Sequence, residues 1–305
     1  MRIAVADVGT NSTRLLVADV DRAAGTLREV ERRSTVTRLG EGVEATGRLA
    51  DAAMGRVHAV LAEYRDAAEA TGAQRAIAVL TSAVRDAANG AAFAAEVRSR
   101  HGFDARELSG DAEARLTYLG ATCRRPRGRP ALVVDVGGGS TELVVGAGDA
   151  LRFHVSTQAG VVRQTERHLL HDPPLPTELR ALTDDVRAIF AAAVPEAART
   201  LPQSAVAVAG TATSLAALEL ALEPYDPGRV EGHVLDLSAC EALLDRLATM
   251  TLPERRALPG LHPDRAPVIV AGAVLLVEAL RRFGLDRVEV SEHDLLYGAA
   301  LSGPG

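Results

Sequence analysis

The chain has 305 residues, of which 47% are hydrophobic and 24% charged, and this composition is typical of a globular protein long enough for two domains. Its net charge of −6 argues against broad coating of nucleic acid, and it contains no run of the ~18–20 uncharged apolar residues that a membrane span needs. Two distant cysteines without metal-ligand spacing favour a reducing compartment, so we expect a cytoplasmic protein without a nucleic-acid or membrane partner.

The first predicted element is a β-hairpin. Residues 4–17 read AVADVGTNSTRLLV, in which an apolar strand passes through a turn at Asp7-Val8-Gly9 into a second apolar strand. An aspartate within the first apolar run indicates a strand and not a signal peptide. The pattern then predicts a strand at 26–36, a helix at 49–70, a strand at 75–80, a helix at 89–100, a strand at 104–108 and a helix at 110–122.

The arginine- and proline-rich stretch at 124–130 marks the predicted domain junction, with domains at 1–123 and 124–305. Its basic residues at 124–129 form either a solvated linker or a surface that guides an anionic substrate. Whether the last helix, at about 293–305, packs back onto the first domain is left open. The second half predicts strands at 131–136, 141–146, 151–157, 205–209 and 286–290, and helices at 160–169, 177–199, 212–220, 238–249, 264–283 and 293–301.

An internal repeat relates the two halves. Residues 132–145 read LVVDVGGGSTELVV and match residues 4–17 without gaps at an offset of 128 positions, with eight identities in fourteen. The identical polar residues, Asp, Gly, Ser and Thr, stand in register, which generic valine-rich strands do not explain. Because strands and helices alternate in both halves, we predict an α/β fold with mixed sheets, built from two copies of one unit.

The two hairpin turns are candidate anion sites. A glycine-rich turn presents backbone N–H groups with little side chain in the way, and serine and threonine hydroxyls add further donors. The competing interpretation is a pair of ordinary glycine-containing hairpins, which two in-register copies disfavour. The candidate phosphate-binding residues are Gly9, Thr10, Asn11, Ser12 and Arg14 in the first copy, and Gly137, Gly138, Gly139, Ser140 and Thr141 in the second.

Other predicted strand ends carry polar residues, and strand ends are where α/β folds bind ligands. Arg85 follows a strand, where its guanidinium would fork onto phosphate oxygens, or it is an exposed helix arginine. Glu113 opens a helix after a Ser-Gly turn, where it would activate water if it pointed inward, or only favour the helix dipole. Gly210 and Thr211 form a further strand end with a candidate role in phosphate binding.

Three aspartate and glutamate side chains are candidate metal ligands. Asp7, Asp135 and Glu142 offer the carboxylate oxygens that Mg²⁺ prefers, with waters and substrate phosphates completing its shell. The histidines show no zinc spacing, and a chain without lysine cannot contain the P-loop motif GxxxxGK[ST]. The sequence also lacks a GxSxG nucleophile elbow.

Six segments together resemble the exopolyphosphatase/guanosine pentaphosphate phosphatase family. In chain order they read DVGTNSTRLLV at 7–17, RLGEGVEATGRL at 38–49, TSAVRDAANG at 81–90, LSGDAEARL at 108–116, VVDVGGGSTELVV at 133–145 and GTATSLAAL at 210–218. The resemblance implies two duplicated ribonuclease-H-like domains of the actin, sugar-kinase and Hsp70 type, with the active site in the cleft between them. It also implies Mg²⁺-dependent removal of terminal phosphate by water, and a homodimer.

The resemblance also assigns roles to residues. Gly9–Arg14 and Gly137–Ser140 match the family's two phosphate-binding turns, Arg85 its phosphate-contacting arginine and Glu113 its catalytic glutamate. Asp135 and Glu142 match acidic residues linked to Mg²⁺. Many members carry paired glutamates where this chain has Ala112-Glu113, so Glu113 alone is expected to act as the base.

The substrate implied by the resemblance is inorganic polyphosphate or a phosphorylated guanosine nucleotide. Longer members continue with helical C-terminal domains, and their absence here predicts a preference for short polyphosphate. Guanosine pentaphosphate presents the same terminal phosphoanhydride, and no residue separates the two substrates. Two hypotheses outside the hydrolases stay open: a small-molecule kinase of the same fold, which would need an adenosine pocket near Gly210-Thr211, and a non-catalytic polyphosphate sensor.

Overall fold

Strand β1, Arg2–Val8, carries apolar side chains on both of its faces. Successive side chains of a strand point to opposite sides of its sheet, so the residues of β1 enter two different clusters. Ala4, Ala6 and Val8 enter one buried cluster, and Ile3 and Val5 enter another. A strand that is buried on both faces requires helices on both sides of its sheet. Helical residues occupy both clusters, so this sheet lies in the middle of three layers.

The computed structural model describes residues 1–21, 23–125 and 128–302, so the basic stretch predicted at 124–129 falls partly outside the described residues. The first part of the chain contains β1, β2 (Ser12–Asp21), β3 (Thr26–Val36), α1 (Val43–Thr46), α2 (Asp51–Ala70), β4 (Arg75–Leu80), α3 (Ser82–Asp86), α4 (Gly90–His101), β5 (Asp104–Glu107) and α5 (Gly110–Thr122).

The second part begins with β6 (Ala131–Val136), β7 (Thr141–Ala147) and β8 (Ala150–Thr157). It continues with α6 (Val161–His168), α7 (Pro176–Ala193), α8 (Glu196–Arg199), β9 (Ser204–Val208), α9 (Ala209–Glu219), α10 (Pro227–Val230), β10 (Val234–Asp236), α11 (Leu237–Thr249), α12 (Leu252–Arg256), α13 (Ile269–Phe283), β11 (Arg287–Val290) and α14 (Leu295–Ser302).

The chain divides into two compact units, Met1–Arg125 with His293–Gly305, and Pro126–Glu292. The sequence placed a domain boundary at 123/124 and left the side of the last helix open. In the structure α14 packs on α5 and on β1, so the end of the chain belongs to the first unit. Leu295, Leu296 and Tyr297 of this helix enter the same apolar cluster as Ile3 and Val5.

The two sheets repeat one topology. The first has the order β3-β2-β1-β4-β5, and the second has β8-β7-β6-β9-β11-β10. In each unit the first three strands are antiparallel, and the first strand also pairs in parallel with the strand after the crossover. The predicted α/β fold with two duplicated mixed sheets is therefore confirmed.

The repeat extends to the register of the hairpins. Asp7 pairs with Arg14 across β1 and β2, and Asp135 pairs with Glu142 across β6 and β7. The register shifts at Val17/Ala18 in one unit and at Val145/Gly146 in the other. All of these positions are related by the offset of 128 residues found in the sequence, so a β-bulge was copied together with the turn.

Three predicted helix boundaries are wrong. The helix predicted at 177–199 is interrupted, because α7 ends at Ala193 and Pro195 caps the separate helix α8. The helix predicted at 264–283 begins only at Ile269. Helix α9 begins directly after β9 at Ala209, whose φ of 63° makes the sharp strand-to-helix turn, so Gly210-Thr211 lies in the first turn of a helix and not before it.

Helix α13 is apolar around most of its circumference because it lies inside the core of the second unit. It has 15 residues, and nearly all of them are buried. A helix that is hydrophobic all round is buried by protein or by lipid, and the length of α13 is short of a membrane span. Within the described ranges, no helix has both the length and the apolar character needed to cross a membrane.

Candidate active site

The first hairpin turn, residues 9–12, uses its backbone carbonyls for structure. The N–H of Gly9 donates to the carbonyl of Ser12 at 3.0 Å and closes the turn. The carbonyl of Asn11 accepts from residues 37 and 38, and the carbonyl of Thr10 accepts from Gly40. The N–H groups of Thr10 and Asn11 donate to no acceptor in the described part of the chain. The turn therefore offers donors and few acceptors, as an anion site requires.

The side chains of the first turn add two further donors. The Nδ2 atom of Asn11 and the Oγ atom of Ser12 are buried, and neither has a hydrogen-bond partner within the described ranges. Buried polar groups are rarely left unpaired, and an unmade hydrogen bond of this kind marks a place for a ligand or an ordered water. The Thr10 hydroxyl is hydrogen-bonded to the Ser82 hydroxyl at 2.8 Å, which ties the turn to helix α3.

The second turn, residues 137–140, has the same construction. The N–H of Gly137 donates to the carbonyl of Ser140 at 3.0 Å, as Gly9 does to Ser12. The start of helix α6 covers the turn: the N–H groups of residues 161 and 162 donate to the carbonyls of Gly137 and Gly138, and Arg163 Nε donates to that of Gly139. The N–H groups of 138–140 donate to no acceptor among the described residues.

Two hydroxyl groups that were predicted to bind phosphate donate to backbone carbonyls of the protein instead. The Thr141 hydroxyl donates to the carbonyl of Ala159 at 2.5 Å, and the Thr211 hydroxyl donates to the carbonyl of Val136 at 3.4 Å. Both threonines are buried. Their side chains thus link the second turn to neighbouring segments. Contact of these two residues with phosphate stays a prediction, and backbone atoms would have to make it.

Gly210 stands where an arginine side chain covers the backbone. A Cβ atom at Gly210 would lie 1.8 Å from Arg265 Nη1, so only glycine lets this guanidinium approach the first turn of α9. The N-terminus of a helix carries unsatisfied N–H groups and favours anions. An arginine from a distant part of the sequence thus lies against Gly210, whose role as an anion site stays a prediction.

Glu113 and Arg85 form an ion pair inside the first unit. Ser109 caps helix α5 by accepting from the N–H of Ala112, and Glu113 follows in the first turn of that helix. Its side chain is buried and its Oε2 accepts from Arg85 Nη1 at 3.0 Å. Asp111, on the same turn, is exposed. The interpretation in which Glu113 only favours the helix dipole therefore describes Asp111 better than Glu113.

The electrostatic surroundings of Glu113 suit a proton acceptor near neutral pH. Burial raises the pKa of Glu113 to about 7, although the hydrogen bond and charge of Arg85 lower it, and the negative charge of Asp7 raises it further. Catalytic bases work best when their pKa lies near the operating pH. No described residue donates to Glu113 Oε1, so this oxygen is able to accept a hydrogen bond from water.

Arg14 lies between two buried carboxylates. Its Nε and Nη2 both donate to Oδ2 of Asp7, at 3.0 and 2.5 Å, and its Nη1 donates to Oδ2 of Asp294. Burial raises the pKa of Asp7, against the lowering effect of Arg14. Oδ1 of Asp7 is buried and has no partner in the described part of the chain. The predicted contact between Arg14 and phosphate stays a prediction, and the structure adds a link to Asp7.

The second unit places two buried carboxylates opposite each other. Asp135 and Glu142 are directly paired across β6 and β7, and both side chains are buried. Glu142 Oε1 accepts from the Ser156 hydroxyl at 2.7 Å. Like charges at such positions are unfavourable unless a positive charge lies nearby. Mg²⁺ is commonly held by one or two carboxylates together with waters and phosphates, and its binding by this pair stays a prediction.

A complete metal cage is not part of this arrangement. Among the residues that the structure describes, no group of three or more histidine, cysteine, aspartate or glutamate side chains is arranged to hold a metal ion. The predicted ligands are distributed over both units, with Asp7 in the first and Asp135 and Glu142 in the second. A metal held by the carboxylates of either unit would take its remaining ligands from water and substrate.

Sequence reasoning missed Asp294, Arg265 and the two segments that cover the turns, at 37–40 and 159–163. Asp294 contacts Arg14 across 280 positions of sequence, and no spacing rule connects them. The only signal was the position of an aspartate before the apolar helix 295–302, where it was indistinguishable from an ordinary N-cap. No sequence pattern indicated that the glycines at 40 and 160 would lie against the two turns.

Comparison with known proteins places the chain among phosphatases. The model of the Ppx/GppA phosphatase family matches residues 16–302. Exopolyphosphatase 2 of Mycobacterium tuberculosis is 40% identical over 318 residues, which cover 99% of this chain and 98% of the relative. Exopolyphosphatase 1 of the same organism is 33% identical and covers 99% of this chain and 88% of the relative.

Solved structures agree with these relatives. The crystal structure of an exopolyphosphatase-like protein has a TM-score of 0.93 at 35% identity and covers 99% of this chain and 97% of its own. The Ppx-GppA enzyme of Aquifex aeolicus has a TM-score of 0.82 at 32% identity and covers 99% of both chains. The resemblance found in the sequence motifs is confirmed.

Proposed function

Because the chain belongs to the Ppx/GppA phosphatase family, we propose that it is an exopolyphosphatase, which removes the terminal phosphate of inorganic polyphosphate by hydrolysis. Two relatives named exopolyphosphatase, each matching 99% of this chain, support the substrate. The observation that carries the proposal is structural: two copies of one turn have their carbonyls bonded to the protein and their N–H groups without acceptors in the described ranges. A polyanion is the ligand that such turns favour.

The turns account for recognition of phosphate. In the first unit, the N–H groups of Thr10 and Asn11 and the side chains of Asn11 and Ser12 are donors in need of acceptors. In the second unit, the N–H groups of 138–140 are equivalent donors. We propose that these groups bind non-bridging oxygens of the polyphosphate. Fixed donors of this kind stabilise the charge of a phosphoryl group in the transition state without reorganisation.

Glu113 and Arg85 account for the attack by water. With a pKa of about 7, Glu113 is ionised in a substantial fraction of molecules at neutral pH and accepts a proton from the attacking water. Arg85 holds one oxygen of Glu113 and leaves Oε1 toward the water. The bond that forms joins the water oxygen to the terminal phosphorus, and the bond that breaks is the terminal phosphoanhydride. The shortened chain leaves as the phosphate anion.

Asp7, Asp135 and Glu142 are the side chains proposed to hold Mg²⁺. The buried Oδ1 of Asp7, unpartnered among the described residues, and the paired carboxylates of Asp135 and Glu142 fit a hard cation that prefers oxygen ligands. When bound, Mg²⁺ would neutralise phosphate charge and polarise the phosphoryl group. Phosphatases of this kind typically depend on a metal ion, and its identity as Mg²⁺ is our proposal.

The test measures phosphate release in parallel on short polyphosphate, long polyphosphate and guanosine pentaphosphate, with and without Mg²⁺. We expect release from polyphosphate only with Mg²⁺, and loss of release in Glu113→Gln. Release from guanosine pentaphosphate alone would show that this nucleotide, and not polyphosphate, is the substrate. Binding without release would indicate a sensor, and ATP-dependent phosphorylation of a small acceptor would indicate a kinase. The preference for short chains, the cytoplasmic location, the homodimer and the shared cleft stay predictions from the sequence.

A further inference from the structure

Asp294 has two tasks at the start of the last helix. The side chain is almost fully buried, with a relative exposure of 1%. Its Oδ1 accepts from the N–H of Leu296 at 3.0 Å and caps helix α14. Its Oδ2 accepts from Arg14 Nη1, and Arg32 Nη2 lies 3.8 Å from the same oxygen. One oxygen of Asp294 thus serves the helix, and the other serves the arginine of the first hairpin.

Arg14 contacts only one oxygen of Asp7 while it also contacts Asp294. Arginine and carboxylate groups frequently pair through two parallel hydrogen bonds, one to each oxygen. Here both donated bonds, from Nε and Nη2, converge on Oδ2 of Asp7. The third donor group, Nη1, is turned to Asp294. Oδ1 of Asp7 consequently remains buried and without a partner in the described part of the chain.

An arrangement that served stability alone would not leave this oxygen unpaired. A buried carboxylate oxygen without a hydrogen bond is costly, and a small rotation of the guanidinium would satisfy it. The rotation would break the contact with Asp294. Pairing of Oδ1 with Arg14 and the contact of Arg14 with Asp294 therefore compete for one guanidinium, and the unpaired oxygen marks a place for a ligand or an ordered water.

The position of Asp294 is itself fixed by helix packing. Helices α5 and α14 approach so closely that a Cβ atom at Gly120 would lie 1.9 Å from the Asp294 carbonyl oxygen. A Cβ atom at Gly298 would lie 1.8 Å from the carbonyl oxygen of Leu116. Because α5 also carries Glu113, one packing contact sets the position of Asp294 and of the proposed base relative to each other.

We propose that Asp294 is a positioning residue that holds Arg14 away from Oδ1 of Asp7 and so keeps this oxygen open for the Mg²⁺ of the reaction. The inference rests on the proposed function, because it concerns the cation of that reaction. Asp294 itself does not touch the substrate or the reacting atoms in this account. It acts through Arg14 on Asp7.

The decisive variant is Asp294→Asn. Asparagine keeps the size of the side chain and an oxygen to cap α14, and it loses the acceptor and the charge that hold Arg14. We expect a crystal structure of the variant to show Arg14 donating to both oxygens of Asp7. We also expect the Mg²⁺ concentration for half-maximal activity to rise about tenfold or more, the size typical of lost outer-shell partners of a metal site. The KM for polyphosphate should change much less.

Two companion variants separate positioning from stability. Asp294→Glu keeps the negative charge and is expected to recover most of the wild-type response to Mg²⁺. Glu278→Gln is the matched control, since Glu278 is also a buried carboxylate that pairs with arginines, Arg187 and Arg281, in the second unit. It should lower the melting temperature without changing the Mg²⁺ requirement. If Asp294→Asn does not fold, Asp294→Ser, which keeps an oxygen to cap α14 and removes the carboxylate that holds Arg14, carries the test with the same expected rise.

Binding of Mg²⁺ without substrate makes the failure of this inference distinct from failure of the proposed function. The increase in melting temperature on adding Mg²⁺ measures binding to the folded protein. We expect a smaller increase in Asp294→Asn than in the wild type, whether or not polyphosphate is hydrolysed. An unchanged Mg²⁺ response together with an unchanged Arg14–Asp7 geometry in the variant would overturn the role of Asp294. Absence of phosphate release by the wild type would overturn only the proposed reaction.

Discussion

The two copies of the hairpin keep the same turn and differ in the residue pair beside it. Gly9 and Gly137 close their turns with the same hydrogen bond, at 3.0 Å in both. Next to the turn, the first copy pairs Asp7 with Arg14, and the second pairs Asp135 with Glu142. The duplication therefore preserved the backbone of the turn and changed the charge of the neighbouring pair. One copy pairs a carboxylate with a guanidinium, and the other pairs two carboxylates, which we propose to bind a cation.

The copies also differ in the segment that covers the turn. In the first unit, residues 37–40 cross the turn, and a Cβ atom at Gly40 would meet the side chain of Thr10 at 2.2 Å. In the second unit, Gly160 leads into helix α6, and a Cβ atom there would meet the backbone of Gly138 and Gly139 at 2.4 Å. Different segments thus fix the carbonyls of the same turn. The common requirement is that the N–H groups stay available.

The largest effect is expected from the proposed base, which only the first unit carries. Glu113→Gln should lower the turnover of polyphosphate by roughly 10²–10⁴-fold, the usual range for loss of a general base. Steady-state phosphate release checks this. Loss of folding would not explain the result, because ionisation of the buried Glu113 costs stability as the pH rises above the ordinary carboxyl pKa, and the full cost is present above its raised pKa of about 7. At pH 8 the variant should melt at the wild-type temperature or above, and near-normal turnover would contradict the role of Glu113.

Changing the two charge pairs should have opposite consequences for stability. Arg14→Gln leaves Asp7 and Asp294 without the cation between them, and breaking a buried pair in this way costs about 3–5 kcal/mol. Glu142→Gln removes one of two like charges and should leave the free energy of unfolding unchanged or higher. Its activity should require at least about 10–100-fold more Mg²⁺, since loss of an outer-shell partner of a metal site already has an effect of that size.

Chemical denaturation and Mg²⁺ titration of activity, made on both variants, test this contrast between the hairpins. Asp86→Asn is a suitable control in the first unit, because Asp86 is a partly exposed neighbour of Arg85 outside the proposed ligand set. Equal destabilisation by Arg14→Gln and Glu142→Gln would show that the two pairs play the same structural role, and the comparison would fail.

The pH dependence of the reaction should follow Glu113. A base with a pKa of about 7 loses its carboxylate form as the pH falls, so kcat/KM at pH 6 should lie roughly tenfold below its value at pH 8. The acid limb should disappear in Glu113→Gln, whose residual rate has no carboxylate to protonate. Rates measured from about pH 5 to 9 at saturating Mg²⁺ decide this, and a flat profile down to pH 5 would show that the base is ionised throughout that range.

The smallest effects are expected from the covering glycines. Gly160→Ala places a methyl group against backbone atoms, and overpacking of this kind typically costs about 1–3 kcal/mol. Gly40→Ala meets the methyl group of the Thr10 side chain and no backbone atom as closely, so its cost should be smaller even if Thr10 loses its hydrogen bond to Ser82. Melting temperatures and the KM for polyphosphate measure both. A larger loss in Gly40→Ala than in Gly160→Ala would mean that the cover of the first turn is the more rigid one.

The internal repeat was the source of most correct predictions about the fold. The offset of 128 residues predicted both hairpins, the position of the acidic residue in each, and the alternation of strands and helices that builds two mixed sheets. Identical polar residues in register are a strong signal because they report backbone geometry, such as the glycine that closes each turn. The structure added a β-bulge at the same offset, which side-chain identity alone does not encode.

Contacts between distant segments were beyond the reach of sequence reasoning. Asp294 meets Arg14, and Arg265 covers Gly210, only after the chain has folded. The predicted hydroxyl donors Thr141 and Thr211 are turned to backbone carbonyls because buried hydroxyls take the nearest acceptor. Local pattern thus predicted the two turns, whose binding of an anion stays a prediction, and tertiary packing decided which of their side chains are bonded to the protein.

The central claim is that water, activated by Glu113, attacks the terminal phosphorus of polyphosphate. Hydrolysis of a short polyphosphate of defined length in ¹⁸O-labelled water, followed by mass spectrometry of both products, tests it most directly. The account predicts one labelled oxygen in each released orthophosphate, an unlabelled chain shorter by one phosphate, and loss of both signals in Glu113→Gln. Label in the shortened chain, or orthophosphate released equally by the variant, would contradict it.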